Sequence, residues 1–294
     1  MFDLTAYLDA QRAVVEAALT ARLPEGTTRP AVLHQAMRYP VLAGGKRLRP
    51  ILCLAAAEAV GGDAAAAMPA ALALELLHTY TLVHDDLPCM DNDTLRRGRP
   101  TAHVVFGEAN ALLAGDALLT LAFEWAADVA VPPPYAPGQL IRELAAGAGS
   151  QGVVGGQVED LAAEGATPDA KRLDYIHRHK TGALIRAAVR MGAIAGGASA
   201  QVLEAITRYG EAVGLAFQVA DDMLNATATA EQLGKPVGSD IERKKLTYVS
   251  VHGLDCARRR ARELAVEAVL AVKPLGTRAE PLSALARYAV ERVK

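Results

Sequence analysis

Two apolar, helix-compatible runs in this chain each drive an adjacent pair of aspartates out of a hydrophobic environment, so a fold must bury both runs while accommodating both pairs. The first run lies in residues 78–103, where Asp85 and Asp86 are followed by Pro88. Proline disfavours helical geometry in the residue before it and withholds a backbone donor, so the helix ends or kinks at Leu87. Asp91 follows Asp85 by a spacing that an unbroken helix would swing to another face. A break at Pro88 lets the chain fold back and gather the three acids. Arg96, Arg97 and Arg99 come immediately after. The second run, 217–225, carries Asp221 and Asp222, with Asn225 one turn on from Asp221; Gly234, Lys235, Asp240, Lys244 and Lys245 follow. Clustered carboxylates beside clustered cations suit an anionic ligand that arrives with a divalent ion. Phosphate fits best, since Mg²⁺ takes a few carboxylates plus phosphate oxygens and water, and Arg forks match phosphate geometry. One such pair is ordinarily a solvated helix connection; a second distant copy favours chemistry.

Composition narrows the class. The chain is 51% hydrophobic and only 4% aromatic, rich in Ala and Leu, which favours helix throughout. Its 294 residues could hold one large domain or two small ones. The strongest loop signal, Pro132-Pro133-Pro134, separates similar Ala/Leu helices without a composition shift, so a single all-helical domain over 1–294 is expected. A net charge of −2 gives no general reason to expect nucleic acid or an anionic membrane surface. Cys53, Cys89 and Cys256 are odd in number and scattered, which argues against a disulfide framework or zinc site and for a reducing, cytoplasmic setting. The N-terminus lacks a signal-peptide profile. The segment 109–131, interrupted by Asp116 and Glu124, reads as a buried core helix rather than a membrane span.

In order, the pattern predicts a surface helix over 3–22, a second from Arg29-Pro30 towards Tyr39-Pro40, and a third from Ile51. The segment 44–50 between them is a Gly-rich turn with Lys46, Arg47 and Arg49, whose amides and cations at a helix start form an anion site. The next helix spans 65–87, with His78 two turns before Asp85 on one face. One long helix, or two broken at Gly115, fills 104–131. A helix from Ala136 leads into the glycine-rich stretch 152–160, which lets helices approach closely but lacks a phosphate-loop ending. A basic knot, 177–182, precedes an apolar helix closed by Gly196-Gly197. The helix 201–224 bears the second acid pair, 226–247 reads as a polar flap, and two closing helices flank Pro274 and Gly276.

These motifs resemble those of the all-helical trans-prenyl diphosphate synthases, and most nearly the bacterial farnesyl diphosphate synthases (geranyltranstransferases). The similarity runs from Gly44 to about Thr247, with the first acid motif and its Arg-Arg tail the most specific part. It implies one large helical bundle around a central cavity, and a Mg²⁺-assisted ionisation, condensation and elimination joining isopentenyl diphosphate to dimethylallyl or geranyl diphosphate. Asp85, Asp91 and Asp221 would hold the metal, as three ions with substrate bound. Gly45, Lys46, Arg49, His78 and Arg97 would hold isopentenyl diphosphate, with Arg47 beside them. Asp86, Asp222, Arg96, Lys180, Thr181, Gln218, Lys235 and Lys245 would serve the allylic diphosphate. Leu77, Tyr80 and Thr81 would set chain length, and Tyr80, five residues before Asp85, implies a C15 product. The resemblance also implies a homodimer, with no nucleic acid and no stable membrane insertion.

Three departures stand out: Asn225 where the family usually has an acid, Lys244 for a usual Gly, and Val249 where Pro is common. The competing readings are a C20 geranylgeranyl diphosphate synthase, a weakly active partner subunit of a heteromeric synthase, and a terpene cyclase. The cyclase has no need of the Lys46–Arg49 anion site. Partner subunits usually lose an acid motif, whereas this chain keeps the first intact and most of the second.

Overall fold

The structure, a computed structural model, describes residues 2–227 and 245–291. It is all-α. The helices are α1 (Leu4–Arg22), α2 (Ala31–Val41), α3 (Leu48–Ala59), α4 (Ala64–Asp85), α5 (Ala102–Phe106), α6 (Glu108–Ala127), α7 (Gln139–Ala148), α8 (Val153–Ala163) and α9 (Ala170–Ile176). A π-helical turn, His177–Gly182, leads into α10 (Ala183–Ala195), then α11 (Ala200–Thr227). After the segment 228–244 come α12 (Tyr248–His252), α13 (Leu254–Val272), a 3₁₀ turn (Lys273–Ala279) and α14 (Glu280–Glu291). The one departure from helix among the described residues is a two-stranded hairpin, β1 (Leu95–Arg96) with β2 (Arg99–Pro100).

Helices α3, α4 and α10 are buried on nearly every face, so they form the centre, and one hydrophobic cluster extends from Val15 of α1 to Ala286 of α14. Small residues bring these helices together. A Cβ on Gly192 would stand 1.9 Å from the Cys53 carbonyl oxygen, so only glycine permits the α3–α10 crossing. Side-chain caps set where helices begin: Asp3 accepts from Ala6 N–H at 3.0 Å and Asp63 from Ala65 N–H at 2.8 Å, contacts worth about 1 kcal/mol each.

Several boundaries differ from expectation for identifiable reasons. Helix α4 stops at Asp85 rather than 87, because Pro88 bars helical geometry at Leu87. The predicted break at Gly115 falls instead at Gly107, whose φ of 81° interrupts the chain between α5 and α6. Gly115 lies inside α6 and makes room for His84, whose Nε2 a Cβ there would meet at 2.1 Å. Helix α6 is only partly core: Leu112 and Leu113 are 46% and 54% exposed. Helix α4 is long and apolar enough to cross a membrane, but 67% of its most apolar window is buried inside the protein. Helix α11 runs to Thr227, into the predicted flap, and 228–244 of that flap lie outside the described residues.

Candidate functional site

At the first acid station the helix break does the gathering. With α4 ended at Asp85, the Asp91 N–H donates to the Asp85 carbonyl at 2.8 Å, and the Asn92 N–H to the Leu87 carbonyl at 3.0 Å. The chain thus turns back on the end of α4 and brings Asp91 to Asp85. Burial, and then Asp91 beside it, push the Asp85 carboxyl up to about 6 against the pull of Lys180. Asp86, adjacent in sequence, points elsewhere and is buried. It accepts from Arg96 Nε at 2.9 Å on both oxygens and from Nη2 at 2.6 Å. The hairpin explains this: Arg97 and Gly98, at φ 54° and 72°, form a tight two-residue turn. That turn sends Arg96 back to Asp86, while Arg97 reaches across to the Gly44 carbonyl. Gly45, φ 147°, gives Arg97 space, since a Cβ there would meet its guanidinium at 2.6 Å.

The turn before α3 builds the cationic wall. Lys46, Arg49, His78 and Arg97 line a cavity of about 620 Å³, within the range of small-molecule sites. Arg49 Nε is buried without a hydrogen-bond partner. Burial, and less strongly Arg97, lower Arg49 to about 10 against the pull of Glu75. Burial and the neighbouring arginines hold His78 well below the usual imidazole range, so it is neutral at neutral pH. This wall carries excess positive charge that an anion would relieve. Arg47 also lines the cavity, but both terminal nitrogens of its guanidinium are engaged by the protein. It turns inward, donating to Glu75 at 2.7 Å and the Val41 carbonyl at 2.7 Å, and tethers the turn to α4.

The opposite wall comes from α8, the π-helical turn and α11, with Asp91 from the loop after α4 and Lys245 from the segment before α12. Asp91, Lys180, Thr181, Gln218, Asp221, Asp222, Asn225 and Lys245 line the same cavity. Lys180 donates to Asp160 at 2.5 Å, and Lys245 lies 3.7 Å from Asp160 and 3.6 Å from Asp91. Thr181 donates to Gln218 Oε1 at 2.7 Å. Asp222 is buried, with the Tyr248 N–H at 2.6 Å, Gln218 Nε2 at 2.9 Å and His177 Nε2 at 3.1 Å, so its oxygens are spent on the protein. Asp222 therefore anchors this wall through three protein groups while also lining the cavity. Val249, standing where proline was expected, is accommodated because a Thr247–Ser250 capping box starts α12 instead.

Other predicted residues sit apart from this cavity. Asp85, Asp86 and Arg96 are not among its lining residues, although Asp85 lies in the field of Lys180, Asp91 and Lys245. Leu77 and Tyr80 are buried and Thr81 half-buried; none lines the cavity. At about 100° per residue, Tyr80 falls on the far side of α4 from His78 and Leu82. Its ring meets His84 edge-on at 5.3 Å, towards α6. Lys235 lies outside the described residues.

Sequence reasoning missed Asp160, His177 and Glu75. Asp160 had a usable signal: it is one helical turn from Gly156, and a Cβ on Gly156 would stand 2.1 Å from the Lys180 backbone nitrogen. The face of α8 that bears both residues therefore meets the 177–182 turn. Glu75 likewise lies one turn before His78 on a shared face. His177 had none, because its partner is distant in sequence.

The donor set suits magnesium. Among the described residues no three His, Cys, Asp or Glu side chains cluster closely enough to cage a metal alone. Carboxylates of Asp85, Asp91 and Asp221 with the Asn225 amide are hard oxygen donors, and Mg²⁺ takes one or two carboxylates while water and phosphate oxygens complete its shell.

The family profile described as polyprenyl synthetase matches residues 30–274. The chain is 45% identical over 298 residues to the "heterodimeric geranylgeranyl pyrophosphate synthase large subunit 1, chloroplastic" of Arabidopsis thaliana, covering 99% of this chain and 80% of that protein. Among solved structures, an apo FPP/GFPP synthase from Zymomonas mobilis superposes with a TM-score of 0.86 at 37% identity, covering 98% of each chain. A geranyltransferase from Helicobacter pylori complexed with magnesium and isoprenyl diphosphate gives 0.85 at 32%, covering 99% of this chain and 97% of that one.

Proposed function

The chain belongs to the polyprenyl synthetase family and is a prenyltransferase, and on that premise we propose that it makes farnesyl diphosphate from isopentenyl diphosphate and dimethylallyl or geranyl diphosphate. The observation that carries this reading is one cavity with two unlike walls: Lys46, Arg49, His78 and Arg97 on one side, Asp91, Asp221, Lys180 and Lys245 on the other. Coupling two diphosphates needs two anion sites, only one of which must also release its diphosphate.

The allylic C–O bond breaks first, leaving diphosphate and an allylic cation. The isopentenyl double bond attacks that cation, and a proton then leaves the new chain, with the departing diphosphate as its acceptor. Asp85, Asp91 and Asp221 are the residues to hold Mg²⁺, which when bound neutralises charge on the leaving diphosphate. Lys180 and Lys245 lie beside these acids, and each charged donor aimed at developing negative charge is worth about 3 kcal/mol, a hundredfold or more in rate. Arg49 and neutral His78 bind the second diphosphate without competing for the metal. Reaction needs no side-chain nucleophile.

Product length is the finer part of the proposal. Tyr80 precedes Asp85 by about 7.5 Å of helix rise, on the side of α4 that packs on α6. Tyr80 does not line the cavity, so C15 rests on the family resemblance, in which a bulky aromatic at this position is the floor. The geranylgeranyl product of the Arabidopsis relative supports C20 as the alternative. We also propose a homodimer through the face bearing Val104, Val105, Leu112 and Leu113, all 46–54% exposed. The heterodimeric relative makes light-scattering mass measurement the check.

The test is to incubate the purified protein with Mg²⁺, isopentenyl diphosphate and each of dimethylallyl, geranyl and farnesyl diphosphate, and to size the products. C15 from the first two, and no elongation of the third, is expected. Tyr80→Ala is expected to shift the product to C20. A C20 product from the parent would replace the C15 assignment, and an unaltered product in the variant would remove Tyr80 as the stop.

A further inference from the structure

His177 opens the π-helical turn that carries Lys180 and Thr181, and it is buried at 3% exposure. Such turns within helices often mark functional sites. Its Nε2 lies 3.1 Å from Asp222 Oδ2, while its Nδ1 is buried without a hydrogen-bond partner. That asymmetry assigns the ring hydrogen to Nε2, the tautomer in which Nδ1 has nothing to donate. The same carboxylate accepts the Tyr248 N–H on Oδ2 at 2.6 Å and Gln218 Nε2 on Oδ1 at 2.9 Å. Because a carboxylate accepts and does not donate, Gln218 must turn its amide nitrogen to Asp222 and its oxygen to Thr181. The Thr181 hydroxyl answers by donating to Gln218 Oε1 at 2.7 Å. One polarity therefore runs through the network, joining the 177–182 turn, α11 and the start of α12.

We propose that His177 is a positioning residue for the allylic side of the site, fixing Asp222 and, through it, the direction of the Gln218 amide and the Thr181 hydroxyl. The inference rests on the prenyltransferase reading, with the allylic diphosphate on the acid-bearing wall. Replacing the imidazole by a group that cannot donate leaves the Asp222 carboxylate short of one of its three donors. The carboxylate and Gln218 then rotate, and Thr181 loses its set direction beside Lys180 and Asp221. None of these groups belongs to the wall of Lys46, Arg49, His78 and Arg97. A positioning defect is therefore confined to one substrate, whereas a general folding defect weakens both.

Steady-state kinetics on the full chain with Mg²⁺, varying each diphosphate separately, tests this. His177→Phe is expected to raise KM for the allylic substrate roughly tenfold or more, the scale of one hydrogen bond to a charged group, while KM for isopentenyl diphosphate stays within about twofold. His177→Gln, which restores a donor, is expected to recover most of the loss. An unchanged allylic KM in His177→Phe, equal rises in both constants, or a Gln variant no better than Phe would each overturn the inference. Should His177→Phe fail to fold by circular dichroism, Asp222→Asn takes its place, with the same selective rise expected and a uniform rise overturning it. A parent enzyme that couples no allylic diphosphate to isopentenyl diphosphate refutes instead the functional reading beneath it.

Discussion

The two acid stations use the same dipeptide, Asp-Asp, in differently built helices. At the first, the helix stops: α4 ends on Asp85, Pro88 prevents continuation, and Asp91 is folded back by a backbone hydrogen bond to the Asp85 carbonyl. At the second, α11 runs unbroken from Ala200 to Thr227, and Asp221 and Asn225 share a face by helical spacing alone. The broken helix brings two carboxylates together, and Asp91 adds to the burial that is the main cause of Asp85 being pushed up to about 6. The unbroken one keeps its acids apart. Yet both divide their pair in the same way. Adjacent helical residues diverge by about 100°, so one acid of each pair turns inward. Asp86 is locked on Arg96, and Asp222 on Tyr248, Gln218 and His177. On the proposed function each station divides into one acid for the ligand side, Asp85 or Asp221, and one engaged by the scaffold.

The sharpest way to break that division is to remove the ligand-side acids. Asp85→Ala and Asp221→Ala are each expected to lower kcat a hundredfold or more, about 3 kcal/mol, with little change in melting temperature. Activity within tenfold of the parent in either variant would end its metal assignment.

Next in size is the scaffold acid. Asp86→Ala leaves the Arg96 guanidinium with only the longer contact to Asp93 at 3.8 Å, and breaking a buried pair costs about 3–5 kcal/mol. The Arg96 side chain is 32% exposed, so solvent screening reduces the expected loss to about 2 kcal/mol, a drop of several degrees in Tm by calorimetry. An Asp86→Ala protein that melts with the parent, or an Asp85→Ala protein that melts well below it, would reverse the roles.

A smaller effect should appear in pH. Asp85 titrates at about 6 in the fold, against about 3.9 for an ordinary Asp in the unfolded chain. Between those values the folded state binds more protons, so stability of the metal-free protein falls as pH rises from about 4 to 6. The Asp85→Asn variant is expected to lack that slope, and Mg²⁺ with diphosphate to flatten it in the parent. Equal slopes in parent and variant, read from chemical denaturation, would assign the effect to another group.

The smallest expected change comes from Asn225→Asp. It adds a carboxylate one turn from Asp221, and the resulting like-charge pair offsets the gain of an ionic ligand. A change in kcat within about threefold is expected, and a larger rise would make position 225 a metal ligand in its own right.

Much of this was legible in the residue order. Apolar runs at helical spacing, Pro88, and the Gly44–Pro50 turn declare the helices, the break after Asp85 and the cationic wall, because each depends on neighbours within a turn or two. The cavity-lining positions Lys46, Arg49, His78 and Lys180 are what the family resemblance implies, and Asp221 is marked by its own apolar run. Residue type and spacing offer Asp85 and Asp86, or Asp221 and Asp222, as equals, and the family resemblance singles out Asp85 and Asp221 for the metal. The tertiary structure shows what engages the other two, by bringing Arg96 around a hairpin and His177 and Tyr248 from other elements. It also turns Arg47 inward to Glu75, sets Asp160 beneath Lys180, and places Tyr80 against α6 rather than under His78. The physical reason is common to all of these. A side chain's type and its face on a helix are local properties, but whether its charge is spent on the protein or left for a ligand depends on which distant partner arrives within about 3 Å.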